Sequence, residues 1–387
     1  MISGRDFLVL SDDWNGLPNS AKHLFRHVLP GNRVFWWNVI TRLPRLSRSD
    51  AGKVIRVLGQ WGKQLVGAGR RASAEQGDSP GAPHTATPWM IPWFKPLVRR
   101  LNRASLARRF ERLAREHHIR NPIVLTTFPS TVDFVRFVPA AAKVYYCVDE
   151  WLHYPGLNPA DWQVMENELI EHVDGVVATS RDLEKKGRRC RASLYLPHGV
   201  DFEHFQAVSQ QGPPVPALEK LARPIVGFFG LIAPWVDLRV VAALGRAFPK
   251  LSFVLIGKAV VGMQELSKLP NVHFLGMIPY EQLPAYARYF NVGLIPFARN
   301  ELTEAVNPLK LLEYYALGLP VVGTRLRELE GLAGPLYLAS DEAEFCAQVE
   351  RALGNASGDR EAALAVARQN TWRQRAEELS LFIANLL

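Results

Sequence analysis

Cysteine is scarce in this chain of 387 residues: Cys147, Cys190 and Cys346 lie far apart and show no metal-ligand spacing. Isolated cysteines of this kind are typical of a reducing compartment. The chain also lacks an uninterrupted apolar run of the roughly eighteen residues that span a bilayer. Its first residues lack the apolar core of a signal peptide. These absences predict a cytoplasmic protein, or one that lies on a membrane without crossing it.

Acidic residues are sparse in one segment. Residues 42–120 contain seventeen Lys or Arg and only five Asp or Glu, a local charge of +12, whereas the whole chain carries +9. A single basic segment implies a local negative partner. Tryptophans near the arginines of residues 88–115 favour the interface between water and anionic lipid. A solvated basic helix is the alternative, and no nucleic-acid-binding module is recognised in the chain.

The order of predicted elements indicates the α/β class. Short apolar strands are predicted over residues 7–10, 33–37, 123–126, 143–147, 175–179 and 193–196, then over 225–229, 252–256, 271–274, 292–295 and 320–322. Helical patterns separate many of these strands, among them 159–173, 341–353 and 358–370. In the first of these, Asn158 is the candidate cap and Glu166 is expected to face outward. We predict two Rossmann-like, doubly wound domains, residues 1–205 and 206–370, facing a central cleft, with a C-terminal helix in 371–387 that packs back on the first.

Carboxylates follow two predicted strands of the first domain. Asp12, Asp13 and Gly16 lie in the loop after the first strand, and Asp149 and Glu150 follow strand 143–147. Loops at the carboxyl ends of parallel strands face the ligand in doubly wound folds. A carboxylate there can act as a general base or hold sugar hydroxyls. Ordinary turn and cap roles are the alternative, because Asp, Asn and Gly are common turn residues.

A polar stripe is predicted within residues 300–324. Asn307 is a candidate helix cap with Pro308 at the first helical position, and Gly318 is predicted to end the helix in the left-handed conformation. Lys310 and Glu313 follow Asn307 at spacings of three, which places them on one face. A nucleoside diphosphate would suit this stripe, with its phosphates on Lys310 and the helix amides and its ribose on Glu313. A surface helix with a Lys–Glu pair remains the alternative.

Several short motifs in the second half appear in the order found in a known family. They are the segments 197–201, 227–230, 271–276, 280–284, 292–297 and 308–322. On these motifs the chain resembles the family 4 glycosyltransferases, in a variant branch with an Asn-Pro-Leu-Lys sequence at 307–310. The resemblance implies the GT-B architecture, a nucleotide-sugar donor in the C-terminal half, retention of anomeric configuration and no metal or other cofactor. It also implies that Glu313 holds the ribose hydroxyls.

The chain departs from that family at three positions. The first glutamate of the family motif would fall on Ala305, next to Glu304, and the usual basic pair would fall on Leu231 and Val236. The diphosphate must therefore be neutralised by other groups. Lys310 is the main candidate for that role.

Further residues complete the predicted site. Gly230, Lys258 and Arg299 are additional donor-side candidates. His198 is assigned to the acceptor side with Asp13, Gly16 and Glu150. Catalytic roles are assigned to Asp149, Asp12 and Glu304.

We therefore expect a glycosyltransferase that moves a sugar from a nucleoside diphosphate to a lipid-linked or polysaccharide acceptor. Its expected place is the inner face of the cell membrane, on anionic lipid and without nucleic acid. The missing charges leave the alternative of a non-catalytic protein of the same architecture that binds a membrane or a partner. A sugar-nucleotide epimerase on the same fold is a third possibility.

Overall fold

Two parallel sheets organise the chain. The structure is a computed structural model, and it describes residues 1–39, 81–92 and 95–387. Contacts divide these residues into an N-terminal unit, Met1–Leu196 together with Ala376–Leu387, and a C-terminal unit, Pro197–Arg375. The predicted basic insertion, residues 42–120, lies partly outside the described residues.

The N-terminal unit is built on a sheet with strand order β3-β2-β1-β4-β5-β6-β7, and all its pairs are parallel. The strands are β1 Asp6–Ser11, β2 Arg33–Asn38, β3 His84–Ala86, β4 Ile123–Thr126, β5 Ala142–Cys147, β6 Gly175–Ala178 and β7 Ala192–Tyr195. Among the described residues of this unit, the α-helices are α1 Ser20–Val28, α2 Pro96–His117, α3 Val132–Val135, α4 Pro159–Ile170 and α5 Arg181–Glu184. Short 3₁₀ helices span Leu29–Gly31, Pro129–Thr131, Trp151–His153 and Lys185–Arg189.

The C-terminal unit is built on a second parallel sheet, with order β10-β9-β8-β11-β12-β13. Its strands are β8 Ile225–Phe229, β9 Ser252–Ile256, β10 Val272–Phe274, β11 Val292–Ile295, β12 Val321–Thr324 and β13 Leu336–Ala339. Its α-helices are α6 Phe202–Gln211, α7 Pro216–Glu219, α8 Leu238–Ala247, α9 Leu283–Ala287, α10 Glu301–Glu304, α11 Lys310–Ala316 and α12 Glu342–Arg368, with 3₁₀ helices at Leu266–Lys268 and Tyr280–Gln282. The last helix, α13 Trp372–Ala384, runs from this unit into the C-terminal segment that belongs to the N-terminal unit.

Both sheets reverse their strand order at one point, between β1 and β4 and between β8 and β11. Strands on both sides of these points are apolar and buried, as expected for a parallel sheet covered by helices. Ligands of doubly wound folds bind beyond the carboxyl ends of the strands at such a point. The prediction of two Rossmann-like domains is confirmed by this topology.

Several local predictions were wrong. Helix α12 is continuous through Gly354 and Gly358, where two helices were expected; a side chain at either glycine would meet open space, so both positions face outward. Helix α4 ends at Ile170, earlier than predicted, although Asn158 caps it as expected by accepting from the amide of Ala160 at 3.0 Å. In contrast, the predicted helix and strand of the donor site are present as α11 and β12, and Gly318 between them has φ +72°.

Close packing across the second reversal point requires glycine. Gly227 of β8 pairs with Gly293 of β11. A Cβ atom at Gly293 would lie 2.5 Å from Cγ of Tyr314, far inside contact distance. The Tyr314 side chain of α11 can therefore lie directly on β11 only because Gly293 has no Cβ atom.

We expect Gly293→Ala to lower the free energy of unfolding by about 1–3 kcal/mol, because overpacking forces Tyr314 or the strand to move. Gly323→Ala in β12 is the matched control, since its Cβ would meet its nearest atom, Cβ of Ile295, at 3.4 Å. Calorimetric unfolding of both variants measures the difference. Equal losses of stability would contradict this account of the packing.

Candidate functional site

The site begins at the loop that follows β8. Gly230 has φ +128° and Gly257, after β9, has φ +145°, a region that favours glycine. A Cβ at Gly257 would lie 1.9 Å from the carbonyl oxygen of Gly230. The amide of Gly230 donates to the carbonyl of Ile256 at 2.8 Å. The backbone at Gly230, after β8, therefore packs directly against the backbone at Gly257, after β9. Because Gly230 has no side chain, the space beside it is open to another group.

Lys310 occupies that space. A Cβ at Gly230 would lie 2.4 Å from Cε of Lys310 and 2.7 Å from its Nζ. The ammonium is 5.5 Å from the ring centroid of Phe228 and 5.7 Å from that of Phe297. Among the described residues it makes no hydrogen bond or ion pair. Burial lowers the pKa of Lys310, and Glu313 partly opposes that shift.

Glu313 lies one turn further along α11 and is only 5 % exposed. Its carboxylate has no hydrogen-bond donor within the part of the chain that the structure describes. Burial raises the pKa of Glu313 to about 7, and the positive charge of Lys310 opposes the rise. A buried carboxylate and a buried ammonium that make no hydrogen bond to the described residues are costly unless a ligand supplies one. Together they can accept two hydroxyls and donate to an anion.

Tyr314 fixes the direction of these two side chains. Its hydroxyl is buried between β8 and β11, donating to the carbonyl of Gly227 or of Leu294, each at 3.2 Å, and accepting from the amide of Phe229 at 3.2 Å. The ring packs on Phe229 with centroids 4.5 Å apart. Helix α11 is thus anchored to both strands of the reversal point. Sequence patterns did not single out Tyr314, because its hydroxyl contacts Gly227 and Leu294, which are far from it in the chain.

Asn307 does not cap α11, contrary to the prediction. The helix begins at Lys310, and its cap position is Leu309, which provides no side-chain hydrogen bond. Pro308 lies outside the helix, and its carbonyl accepts from the amide of Leu311 at 3.1 Å. Asn307 is nevertheless buried, 8 % exposed, at the end of the segment that leads to Lys310.

Glu304 is held by arginines. Arg299 Nε lies 2.5 Å from one carboxylate oxygen, and Arg327 approaches the other with its amide at 3.1 Å and its Nε at 3.4 Å. Burial alone would raise the pKa of Glu304, but the hydrogen bonds from Arg299 and Arg327 outweigh it and the pKa is lowered. The carboxylate therefore stays ionised and ties two loops together. Arg299, predicted as a phosphate ligand, is the main partner in this ion pair.

His198 lies in the C-terminal unit, although the predicted boundary put it in the first domain. It is buried, and Arg375 donates from Nε to its carbonyl oxygen at 3.4 Å. Burial lowers the pKa of His198 to about 4, and the charges of Arg375 and Lys310 add to the effect. The imidazole is therefore neutral at neutral pH, near the Lys310 ammonium.

The remaining predicted donor positions lie around this centre. Lys258 follows β9 and is exposed, with its carbonyl accepting from the amide of Ile232 at 2.9 Å. Leu231 is 39 % exposed, whereas Val236 and Ala305 are buried. At the three positions where the resembling family carries charge, this chain has an exposed leucine and two packed apolar residues.

The loop after β1 forms a turn in the N-terminal unit. Asp13 accepts from the amide of Gly16 at 2.8 Å through its carbonyl and from the amide of Asn15 at 3.2 Å through its side chain. Asp12 accepts from Asn19 Nδ2 at 3.2 Å. A buried lysine that the sequence analysis missed, Lys22, donates to a loop carbonyl at 2.6 Å, and burial lowers its pKa while Asp12 and Asp13 oppose the shift. Asp12 and Asp13 are both exposed.

Asp149 and Glu150 follow β5 as predicted, but Glu150 is engaged in an ionic cluster. Lys186 Nζ lies 2.8 Å from Glu150 and 2.9 Å from Glu166, which also accepts from the Tyr145 hydroxyl at 2.7 Å. Glu166 is 2 % exposed, although the helical pattern predicted that it faces outward. The partner of this buried carboxylate, Lys186, is distant in sequence, so a pattern within one helix could not reveal it. Asp149 is half-buried beside this cluster.

Across residues 1–39, 81–92 and 95–387, the structure contains no group of three or more His, Cys, Asp or Glu arranged to hold a metal ion.

The buried Glu313 predicts a pH dependence of stability. A carboxyl whose pKa is higher in the folded protein than in the unfolded chain stabilises the fold at low pH, and this contribution is lost as the pH rises through the folded value. For Glu313 that window runs from 4.5 to about 7. We expect the stability of Glu313→Gln, relative to wild type, to rise by up to about 3 kcal/mol from acidic to slightly basic pH.

The difference between variant and wild type is the quantity to measure in denaturant titrations at each pH. His198, with its pKa lowered to about 4, gives wild type an opposing dependence that cancels in the difference. Glu281→Gln, an exposed position, is the matched control and should follow wild type at every pH. Parallel curves for Glu313→Gln and wild type would contradict the burial argument.

Residues 223–355, all in the C-terminal unit, match the family model described as glycosyl transferases group 1. The chain is 30 % identical over 223 residues to TuaH of Bacillus subtilis (strain 168), which is named as a teichuronic acid biosynthesis glycosyltransferase. That match covers 54 % of this chain and 56 % of TuaH, so the chain spans about half the length of this curated relative.

Solved structures resemble nearly the whole chain. HepE of Anabaena, determined in complex with UDP and glucose, has a TM-score of 0.65 at 15 % identity, covering 98 % of this chain and 99 % of HepE. Sucrose-phosphate synthase of Thermosynechococcus elongatus has a TM-score of 0.71 at 15 % identity, covering 99 % of both chains. The predicted GT-B fold, with two parallel-sheet Rossmann-like domains, is confirmed, and the C-terminal unit is similar to the group 1 glycosyltransferases.

Proposed function

We propose that this protein is a glycosyltransferase that takes a sugar from a nucleoside-diphosphate donor bound in the C-terminal unit. The observation that carries the proposal is the Lys310–Glu313 pair, buried beyond the carboxyl ends of β8 and β11 and without partners among the described residues. A ribose offers two hydroxyls to the carboxylate, and a diphosphate offers negative charge to the ammonium. The family match, residues 223–355, lies within this unit and includes both residues, and the HepE structure holds UDP and glucose.

Lys310 supplies the electrostatic part of the proposed mechanism. When the bond between the sugar and the diphosphate breaks, negative charge grows on the leaving phosphate. An ammonium fixed in a poorly solvated place stabilises that charge without reorganisation of water. The diphosphate in turn favours the charged ammonium, which reverses the lowering of the Lys310 pKa by burial. Lys310 thus takes the role left by the uncharged Leu231 and Val236.

We assign the reaction to the retaining class, with the leaving phosphate accepting the proton of the acceptor hydroxyl. This route needs no nucleophile from the protein. Asp149 and Asp12 are proposed to orient the acceptor, and Glu304 is assigned to loop support because two arginines already hold it. The acceptor is proposed to be a lipid-linked or polysaccharide glycan, which agrees with the name of the TuaH relative.

The alternative function is a non-catalytic protein of the same architecture. It is favoured by the apolar residues Leu231, Val236 and Ala305, which replace charged groups of the resembling family. Nucleotide binding distinguishes the two functions. A protein that has lost catalysis through loss of its phosphate ligands should bind nucleotide weakly or not at all.

Calorimetric titration with UDP, dTDP, GDP and ADP tests the proposal. We expect wild type to bind one of them, and Glu313→Gln and Lys310→Gln each to weaken that binding by about 10- to 150-fold, the loss of a hydrogen bond to a charged group. Lys250→Gln is the control for Lys310, because it removes an exposed lysine of the same unit that precedes β9, away from the carboxyl end of that strand. It should change the affinity by less than about threefold.

Two results would overturn the assignment. Wild type that binds none of the four nucleotides would exclude a nucleotide-sugar transferase. Binding that is weakened in Lys258→Gln and not in Lys310→Gln would place the diphosphate elsewhere. If binding is confirmed, incubation with the matching nucleotide sugar should release nucleoside diphosphate, whereas an epimerised donor would indicate the epimerase.

A further inference from the structure

Helix α2 presents an apolar and basic surface that takes no part in the proposed site. Leu97 is 69 % exposed and Leu101, one turn later, is 46 % exposed. Arg100 and Arg103 follow Leu97 at spacings of three and are both exposed. Residues three and four apart are neighbours on a helix, so these four side chains form one continuous surface.

Phe137, from the segment after α3, extends this surface. Its ring is 58 % exposed, and two guanidinium groups lie close to it, with Arg103 Cζ 4.8 Å and Arg136 Cζ 5.2 Å from the ring centroid. We call the whole set the Phe137 surface; it comprises Leu97, Arg100, Leu101, Arg103, Arg136 and Phe137. An exposed aromatic ring beside two arginines combines an apolar group with positive charge at one place.

The fold holds α2 so that this surface faces outward. Arg99 is half-buried, pairs with Asp133 at 2.7 Å and also contacts Glu168. Asn102 accepts from the amide of Ile91 and donates to its carbonyl, both at 2.8 Å. Leu106 and Phe110 are buried. Arg99 is thus paired within the unit, whereas its neighbour Arg100 is exposed.

The charge of the surface has one sign. From Lys95 to Phe110 the sequence has six Lys or Arg and no Asp or Glu. Carboxylates return only in the second half of the helix, at Glu111 and Glu116, beside the exposed Arg112 and Arg115. The half of α2 with exposed leucines is therefore the half without negative charge.

We propose that the Phe137 surface docks this protein on an anionic lipid bilayer. Large apolar side chains enter the boundary between headgroups and acyl chains, and arginines beside them meet anionic headgroups. A nucleic acid would use the arginines but leaves two exposed leucines without a partner, so lipid fits the surface better. No helix in the described residues is long and apolar enough to span a membrane.

This surface differs from the one expected from the sequence, where tryptophans were the predicted lipid anchors. Trp89 is half-buried, and its carbonyl accepts from Ser105 Oγ at 2.7 Å, while Trp93 lies outside the described residues. The exposed anchors are Leu97, Leu101 and Phe137. Docking through the Phe137 surface rests on the proposed function, in which a lipid-linked acceptor requires membrane contact. The surface includes none of the proposed nucleotide-binding residues.

Sedimentation with vesicles tests the proposal. Full-length protein should bind vesicles of phosphatidylglycerol and phosphatidylcholine, bind phosphatidylcholine alone far more weakly, and lose affinity as salt screens the charges. Arg100→Gln/Arg103→Gln should weaken the binding by about 20-fold, since each basic residue near an anionic surface changes partitioning several-fold. Phe137→Ser should weaken it by about tenfold through lost apolar burial.

Arg112→Gln/Arg115→Gln is the matched control, because it removes the same charge from the same helix outside the Phe137 surface. Its binding should stay within about threefold of wild type. Equal losses for the two double variants, or equal binding to vesicles of both compositions, would overturn the proposal. Displacement from vesicles by a short DNA or RNA duplex at equal concentration would favour a nucleic-acid partner instead.

Nucleotide titration of the same variants keeps the two proposals separate. Variants of the Phe137 surface should bind nucleotide like wild type, which also shows that they are folded. Loss of vesicle binding with intact nucleotide binding supports the docking surface. Failure of wild type to bind vesicles, with nucleotide binding intact, overturns the docking surface and leaves the proposed enzyme standing.

Discussion

The hydroxyl of Tyr314 bonds to both strands of the reversal point in the C-terminal sheet, and the candidate site depends on it. It contacts the carbonyls of Gly227 and Leu294 and the amide of Phe229, each at 3.2 Å. A helix anchored in this way cannot rotate without breaking buried hydrogen bonds, which are expensive to leave unmade. Lys310 and Glu313, on the same short helix, are therefore held beyond the strand ends in an environment that does not satisfy them.

Burying the Lys310 ammonium and the Glu313 carboxylate lowers the stability of the fold. Burial lowers the pKa of Lys310 and raises that of Glu313 to about 7, so each side chain is displaced toward its neutral form. A sequence selected for stability alone would have apolar residues at both positions, because buried charges often contribute less than apolar packing. Local departures from stable packing concentrate at functional sites. A ligand with hydroxyls and a diphosphate would reverse both displacements at once.

Much of the fold could be predicted from the sequence. The strands β4, β8, β9 and β11 have the predicted bounds, because short β-branched and apolar runs between turn residues leave little ambiguity. Helix α12 was split in two at glycines that the structure keeps helical, since propensity is a weak guide where neighbouring residues pack well.

The site was predicted less completely than the fold. Spacing alone placed Lys310 and Glu313 on one helix, but it could not show that Tyr314 anchors that helix or that two arginines hold Glu304. Both facts depend on contacts between residues distant in sequence or on different elements. The cap assigned to Asn307 was wrong because the helix begins at Lys310 and its cap position is Leu309, which is already in helical conformation. Sequence alone does not distinguish Arg99 from Arg100, yet Arg99 is paired within the unit and Arg100 is exposed.

A structure of the protein with a bound nucleoside diphosphate is the most direct test of the central claim. The account predicts the ribose hydroxyls on the Glu313 carboxylate and the diphosphate within hydrogen-bond distance of Lys310 Nζ, above Gly230. A nucleotide bound at another place, or one bound here with Lys310 and Glu313 making no contact to it, would contradict the account.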